Sequence, residues 1–155
     1  MRIDVPRIIE EIAPLMHKMD EDGTNQLMLQ GVKGIDDPYY GCHHFKDLKH
    51  IEFEFNVPLH DNIEYTNSII KDLKIHRTRL MRLRPHTCYS YHKDASRRIH
   101  IPLVTSVNCF IIVDDILNRY PADGSSYLIN TTKMHTAVNA SNNDRWHIVG
   151  CVSKR

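Results

Sequence analysis

The chain has 155 residues, enough to bury one hydrophobic core; 41% of them are hydrophobic and 25% are charged. Its 20 basic and 19 acidic side chains leave a formal net charge of +1, which gives no electrostatic reason to expect nucleic acid or an anionic membrane as a partner. No apolar run approaches transmembrane length and the N-terminus lacks the apolar stretch of a signal peptide, so we expect one cytoplasmic domain over residues 1–155.

The first 75 residues are predicted to be an elaboration of helices and strands. Apolar residues at helical spacing predict an amphipathic helix at the start of the chain: Val5, Ile8, Ile9, Ile12, Leu15, Met16 and Met19. Pro14 lies inside this pattern and is expected to kink or split the helix. Residues 20–25 read as a loop, and residues 26–32 favour a strand.

Two further elements are predicted before residue 76. Residues 51–55 alternate apolar and acidic side chains, which favours a half-buried strand. Asp61 and Glu64 have the spacing of a capping box, so a second helix is expected to follow Asp61. Its buried side would carry Ile69, Ile70 and Leu73.

From residue 76 to residue 155 the sequence predicts a β core on which the N-terminal helices pack. Short β-prone runs separated by turn residues are found at Arg79–Leu83, Thr87–His92, Ile99–Val104, Asn108–Val113, Ser126–Asn130, Met134–Val138 and Trp146–Val152. Many short strands at regular spacing are typical of a sandwich or barrel. The predicted fold class is therefore mainly β.

A candidate metal site lies in this core. His92 and Asp94 are two residues apart at a predicted strand end, so their side chains can point to the same face, and His135 lies on a later strand. Two imidazoles and one carboxylate suit iron(II) and leave three coordination positions open. Arg145 follows a polar loop, and its planar fork could grip the far carboxylate of an acidic co-substrate.

The pattern of residues around this site resembles the aspartyl/asparaginyl β-hydroxylase family. The resemblance covers about the C-terminal half of the chain and rests on the following residues: Arg79-Leu80-Met81-Arg82-Leu83, Pro85, His92-Lys93-Asp94, Arg98-Ile99-His100-Ile101-Pro102-Leu103, Asn108, Gly124, Tyr127, His135-Thr136-Ala137-Val138-Asn139 and Arg145. It implies a double-stranded β-helix (jelly-roll, cupin-like) core. It also implies a dioxygenase that uses Fe(II), 2-oxoglutarate and O2, hydroxylates a C–H bond and releases succinate and CO2.

The same resemblance implies roles for individual residues. His92, Asp94 and His135 would ligate iron, and Arg145 would pair with the C5 carboxylate of 2-oxoglutarate. Arg98 and His100 match an Arg-x-His element that contacts the co-substrate. From the residues alone, Arg98 is equally well a salt-bridge partner of Asp94 and His100 a satisfied core histidine. The substrate would be an amino acid, peptide or protein, with no nucleic acid and no membrane involved.

One position departs from the family pattern. A hydroxyl-bearing residue before the first histidine is replaced here by Met81, so Ser90 or Tyr89 would have to supply that hydrogen bond. Two other functions stay open at this stage. A non-catalytic cupin-like module would bind a small ligand or sugar, and a zinc- or manganese-dependent cupin-type isomerase would give Arg145 no role.

Other patterns favour structural interpretations. Cys42-His43-His44 has no complementary ligand pair nearby and is interpreted as a solvated or supporting group. Four alternating basic residues are interpreted as a solvated strand face, with a substrate carboxylate or phosphate contact as the alternative: Arg77, Arg79, Arg82 and Arg84. Four distant cysteines without a CxxC pair predict reduced thiols: Cys42, Cys88, Cys109 and Cys151.

Overall fold

The structure, a computed structural model, describes residues 2–42 and 48–152. Two α-helices and a short 3-10 helix accompany eleven strands in this part of the chain. In chain order the elements are α1 (Val5–Glu21), β1 (Gln26–Met28), β2 (Gln30–Gly31), the 3-10 helix (Glu52–Glu54), β3 (Val57–Pro58), α2 (Glu64–Asp72), β4 (His76–Leu83), β5 (Thr87–Cys88), β6 (Arg98–Val104), β7 (Cys109–Val113), β8 (Ile116–Asn118), β9 (Tyr127–Ile129), β10 (His135–Asn139) and β11 (Arg145–Cys151).

The last eight strands form a jelly roll. The larger sheet has the order β1-β4-β11-β6-β9 and the smaller sheet has the order β5-β10-β7-β8, with every pairing antiparallel. The chain therefore passes from sheet to sheet at β4–β5, β5–β6, β6–β7, β8–β9, β9–β10 and β10–β11, as a double-stranded β-helix requires. The predicted mainly β, jelly-roll fold is confirmed.

Strand β11 shows how the larger sheet divides the molecule. Trp146 and Ile148 face the helices and belong to the main hydrophobic core, whereas Arg145 and His147 face the space between the two sheets. Gly150 continues the helix-facing row, and a Cβ at that position would come within 2.7 Å of Ile75. Side-chain alternation along a strand thus places an apolar core on one side and a polar interior on the other.

Helix α1 packs its apolar stripe on this sheet, as predicted, but Pro14 does not split it. The helix runs unbroken from Val5 to Glu21, with Asp4 as its N-cap. Pro14 lies on the exposed side of the helix, where water can bind the Glu10 carbonyl that loses its hydrogen bond.

Helix α2 buries the predicted Ile69 and Ile70, but Leu73 follows the helix as its partly buried C-cap residue, and the N-terminal cap differs from the one predicted. It begins at Glu64, and Ile63 at the N-cap position gives no side-chain hydrogen bond. The carboxylate of Glu11 on α1 instead accepts hydrogen bonds from the main-chain N–H groups of Tyr65 and Thr66, both at 2.8 Å. The predicted capping box is therefore wrong, because an anion from the neighbouring helix occupies the helix N-terminus.

The strand predicted over residues 51–55 is also wrong. Glu52–Glu54 form a 3-10 helix in which Glu52 and Phe55 are buried and Ile51 is 61% exposed. Burial with a spacing of three residues fits the 3.0-residue period of this helix rather than the two-residue period of a strand. The turn directs Glu52 towards a pair of buried arginines.

The four alternating arginines do not form one solvated face. Arg77 and Arg79 are buried and line the space between the sheets, while Arg84 is exposed. Arg82 is buried on the helix side, where its guanidinium lies 5.1 Å from the centroid of the Trp146 ring. The solvated interpretation is therefore wrong for all but Arg84.

All four cysteines are free thiols; Cys109 and Cys151 are buried and Cys88 is exposed. His43 and His44 lie outside the described residues, so the Cys42-His43-His44 interpretation stays a prediction. Neither helix in the described ranges has the length and apolar character needed to cross a bilayer.

Candidate metal centre

Three side chains converge at one end of the space between the sheets. One ligand atom each from His92, Asp94 and His135 can be chosen so that all lie within 4.8 Å of one another. Nε2 of His92 is 3.8 Å from Oδ1 of Asp94, and Nε2 of His135 is 3.6 Å from Oδ2 of the same carboxylate. The structure therefore brings together the three residues that the sequence nominated as ligands.

The main chain holds the two histidines side by side. His92 and His135 form an isolated antiparallel bridge in which each N–H donates to the other carbonyl, at 3.0 and 2.9 Å. The Asp94 N–H donates to the Thr131 carbonyl at 2.8 Å. Since these bonds use backbone groups, the ligand positions are fixed without a metal ion.

Hydrogen bonds at the far side of each ring select the tautomer. Nδ1 of His92 lies 2.6 Å from the Ser90 carbonyl, and Nδ1 of His135 lies 2.9 Å from the Lys133 carbonyl. A carbonyl only accepts, so both Nδ1 atoms carry the proton and both Nε2 lone pairs face the centre. Burial also lowers the pKa of His135, which favours the neutral imidazole that a metal ion needs.

Behind Asp94 lies an ion-pair network in which the Arg98–Asp94 salt bridge was one alternative from the sequence, whereas Glu52 was not anticipated. Nε of Arg98 is 3.2 Å from Oδ2 of Asp94, and Nη2 of Arg98 is 2.7 Å from Oε1 of Glu52. Ser96 donates its hydroxyl to Oε2 of Glu52 at 2.6 Å. The carboxylate of Asp94 is therefore held through Arg98 by a residue more than forty positions earlier in the chain.

Glu52 is ionised in this network. Burial alone would raise its pKa, but the charges and hydrogen bonds of Arg98, Ser96 and Arg77 hold the pKa of Glu52 below its usual value. Nη1 of Arg77 lies 3.5 Å from Oε1 of Glu52, and Arg77 also donates to the Gly41 carbonyl. No signal in the sequence marked Glu52, because its counter-charges come from β4 and β6.

Arg145 is a buried cation of a different kind. Its side chain lines the same cavity and is 5% exposed, yet across residues 2–42 and 48–152 it forms no ion pair with a carboxylate. Its nearest polar contacts are the ring nitrogens of His147, at 2.8 and 3.1 Å. Burial lowers the pKa of Arg145 to about 10, so it still carries its charge at neutral pH.

His100 lies next to this arginine and its histidine neighbour. Nδ1 of His100 is 3.2 Å from Nδ1 of His147. Burial, with the charge of Arg145, lowers the pKa of both imidazoles well below their usual value, so both are neutral. Of the two residues in the Arg-x-His element, His100 lines the cavity. Arg98 forms ion pairs with Glu52 and Asp94.

The three candidate metal ligands, Arg145 and His100 all line one cavity of about 580 Å³, a size typical of small-molecule sites. Met81 and Tyr89 line it, but Ser90 is exposed and is not part of its wall. Of the two hydroxyls considered as replacements at the Met81 position, only that of Tyr89 therefore belongs to a residue that lines the cavity. Burial raises the pKa of Tyr89, which keeps the phenol protonated as a donor.

Comparison with protein families gives a match. The family model described as aspartyl/asparaginyl beta-hydroxylase matches residues 53–153, about two thirds of the chain. A search among curated proteins finds none that matches this chain.

Several solved structures are similar to this chain at low identity. AviO1 from Streptomyces viridochromogenes Tue57 is 12% identical, covers 94% of this chain and 82% of its own, and has a TM-score of 0.52. A prolyl-4-hydroxylase from Pseudomonas putida is 10% identical, with coverages of 98% and 84% and a TM-score of 0.49.

The plu4264 protein from Photorhabdus luminescens is 18% identical and has a TM-score of 0.43. The match covers 50% of this chain and 62% of the plu4264 protein, less than two thirds of the latter. At this low identity, the similarity to AviO1 shows a shared fold and gives no information about activity.

Proposed function

The chain belongs to the aspartyl/asparaginyl β-hydroxylase family, and from this premise we propose that it is an Fe(II)- and 2-oxoglutarate-dependent dioxygenase. It would hydroxylate an unactivated C–H bond, with succinate and CO2 as co-products, on the side chain of an amino acid that is free or part of a peptide or protein. One observation carries the proposal: three side chains that could bind a metal ion meet in a cavity that also holds Arg145, a buried guanidinium with no carboxylate partner in the part of the chain that the structure describes.

The donor set fits iron(II). Two imidazoles and one carboxylate from the protein match the facial arrangement used by non-haem iron oxygenases, which leaves positions for co-substrate and O2. Bound iron(II) and 2-oxoglutarate would supply the oxidising chemistry that no side chain of this protein provides. His92, Asp94 and His135 would hold the ion through Nε2, a carboxylate oxygen and Nε2.

Arg145 would bind the C5 carboxylate of 2-oxoglutarate. Arg145 is a buried guanidinium whose described hydrogen bonds go to a single neutral imidazole, that of His147, so it gains much from an anion, and its planar fork matches a carboxylate. Tyr89 would donate the hydrogen bond that the family takes from the position of Met81. His100, neutral and directed into the cavity, is the member of the Arg-x-His element available to the co-substrate.

Arg98 would act as a positioning residue for Asp94. Its guanidinium pairs with Glu52 on one side and with Asp94 on the other, so it orients the carboxylate ligand from behind. A direct contact of Arg98 with 2-oxoglutarate stays a prediction.

The apolar part of the cavity wall would keep water from the reacting atoms. Met81, Ile111, Ala137 and Val149 lie among the polar groups on this wall. A dry wall strengthens the electrostatic contacts inside it and reduces unproductive turnover.

Four free thiols agree with a reducing, cytoplasmic location.

Anaerobic titration tests the proposal directly. Adding Fe(II) and then 2-oxoglutarate to the purified protein should produce a visible charge-transfer band, and admitting O2 should release succinate. His92→Ala should abolish both and keep the fold, because the His92 side chain is 40% exposed while that of His135 is only 9% exposed. Circular dichroism of the variant checks the fold.

Two results would contradict the proposal. Succinate release by His92→Ala at the parent rate would remove the ligand assignment. A protein that binds Fe(II) but gives no band with 2-oxoglutarate would instead be a cupin-type binding module or isomerase.

A further inference from the structure

Strand β8 forms one edge of the smaller sheet and presents apolar side chains to solvent. Among the described strands it is hydrogen-bonded to β7 and to no other. Ile116 is 65% exposed and Leu117 is 44% exposed. An exposed apolar edge strand can pair with a strand of another chain, and natural proteins usually cover such edges or place charges on them. The outer edge of β8 is therefore a candidate interaction surface.

The hairpin that joins β7 to β8 determines which main-chain groups of this edge are available. Asp114 and Asp115, with positive φ angles of 53° and 65°, form its two-residue turn. Val113 pairs with Ile116 directly beside the turn. The two residues that flank such a turn exchange their hydrogen bonds, and the direction of the bonds alternates along the strand. The N–H and C=O groups of Ile116 therefore point to β7, whereas those of Leu117 point outwards.

A second copy of this chain fits the edge in one register. Two antiparallel copies of β8 would be related by a twofold axis, and only residues whose main-chain groups point outwards can pair on it: Asp115, Leu117 or Arg119. With the axis at Leu117, Asp115 of each copy lies opposite Arg119 of the other. With the axis at Asp115 or at Arg119, two like charges would meet. Charge complementarity therefore selects the register centred on Leu117.

Both charged side chains are accessible for this contact. Asp115 and Arg119 are exposed, and neither forms an ion pair within the part of the chain that the structure describes. Oδ1 of Asp115 accepts a hydrogen bond from the Tyr91 hydroxyl at 2.8 Å, and a carboxylate has further acceptor sites. Nε of Arg119 donates to the Val107 carbonyl at 2.8 Å, and the guanidinium carries further donors on its Nη atoms.

We propose that two copies of this chain pair through β8 and form a twofold dimer in which their smaller sheets become one continuous sheet. Leu117 meets its counterpart on the axis, and Ile116 lies opposite Asn118 of the other copy. Because β8 has only three residues, the interface is small and the dimer is weak, with a Kd of roughly 10–100 μM. The inference goes beyond the proposed function and does not depend on a metal ion.

Two charge reversals test the register on the full chain. Sedimentation equilibrium of the parent from about 1 μM to about 500 μM should show the mass rising from one chain to two. Asp115→Arg and Arg119→Asp each place like charges opposite one another, so each variant alone should dimerise at least roughly tenfold more weakly. In an equimolar mixture of the two variants, every contact across the axis again joins opposite charges. The mixture should therefore regain the two-chain mass.

A matched pair of leucine substitutions locates the interface. Leu117→Asp places two carboxylates on the axis and should abolish the dimer. Leu128 is 54% exposed on β9, the edge strand of the larger sheet, and Leu128→Asp should leave the dimer intact. Circular dichroism checks the fold of every variant. If Asp115→Arg is unfolded, the comparison of the two leucine variants decides alone.

Three results would overturn the proposal. The first is a parent that keeps the one-chain mass at about 500 μM. The second is a mixture of folded Asp115→Arg and Arg119→Asp that associates no better than either variant alone. The third is a dimer that survives Leu117→Asp or is lost in Leu128→Asp, which would place the contact away from β8.

Discussion

The two faces of the larger sheet carry opposite chemistry on the same strands. On the helix side, Leu80, Ile101 and Ile148 are fully buried in one apolar core. On the cavity side, the neighbours of these residues along the strands are Arg79, His100 and His147. The first face holds the sheet against the helices, and the second presents buried charge that the protein itself only partly neutralises.

Because of this difference, we expect substitutions on one face to change the free energy of unfolding and substitutions on the other face to change ligand binding. The apolar face gains free energy by excluding water and tolerates little loss of volume. On the polar face, Arg145 has no carboxylate partner among residues 2–42 and 48–152, and a buried charge of this kind would be stabilised by a bound anion. Substitutions on the two faces should therefore affect different measurements.

Glu52 is the exception on the polar side, and its replacement should have the largest effect. Glu52→Ala leaves Arg98 without its main counter-charge, so we expect the free energy of unfolding to fall by about 3–5 kcal/mol. Fe(II) affinity should fall as well, since Glu52 no longer holds Arg98, the positioning residue of Asp94. Urea unfolding and metal titration measure the two effects. The matched control Glu10→Ala, on the exposed side of α1, should stay within about 0.5 kcal/mol of the parent.

A pair of substitutions on β11 compares the faces directly. Ile148→Ala should lower the free energy of unfolding by about 2–5 kcal/mol through the cavity it leaves, with the 2-oxoglutarate Kd unchanged. Arg145→Lys should change stability little but weaken 2-oxoglutarate roughly tenfold or more, because the bidentate fork is lost. Thermal unfolding and the anaerobic titration distinguish them. Equal loss of Fe(II) and 2-oxoglutarate affinity in Arg145→Lys would contradict its assigned role.

The smallest expected effect is a pH dependence from the polar face. Burial, with Arg145, holds the pKa of His147 well below its usual value, so the unfolded chain binds a proton that the folded protein does not. The contribution of His147 to the free energy of unfolding is therefore fully present above about pH 6.5. It is lost as the pH falls below this value, by up to about 1.4 kcal/mol per pH unit. His147→Asn should flatten this slope between pH 6.5 and 5.5, and the exposed control His17→Gln should not. Equal slopes would refute the assignment.

The sequence was sufficient for features that depend on local periodicity and on the metal-ligand pattern. Strand alternation located most of the jelly-roll strands, and helical spacing located α1. The spacing of His92 and Asp94 nominated two residues that the structure places beside His135. Such features can be read because each is encoded within a few residues.

What the sequence could not give are partners distant along the chain. Glu11 caps α2 from another helix, and Glu52 serves arginines on β4 and β6. Residues 51–55 alternate like a strand, but the burial of Glu52 against these arginines, with that of Phe55, imposes a 3-10 turn. Arg77 and Arg79 look solvated by composition because a linear pattern does not reveal which face of β4 encloses a cavity.

The reciprocal main-chain pairing of His92 and His135 has a consequence for how the proposed metal ion would bind. Unlike zinc fingers, whose chains stay unfolded until metal arrives, this polypeptide already sets its imidazoles in place. Chelation should therefore strip the centre reversibly. If the proposed function is right, the chain would fold before it binds Fe(II).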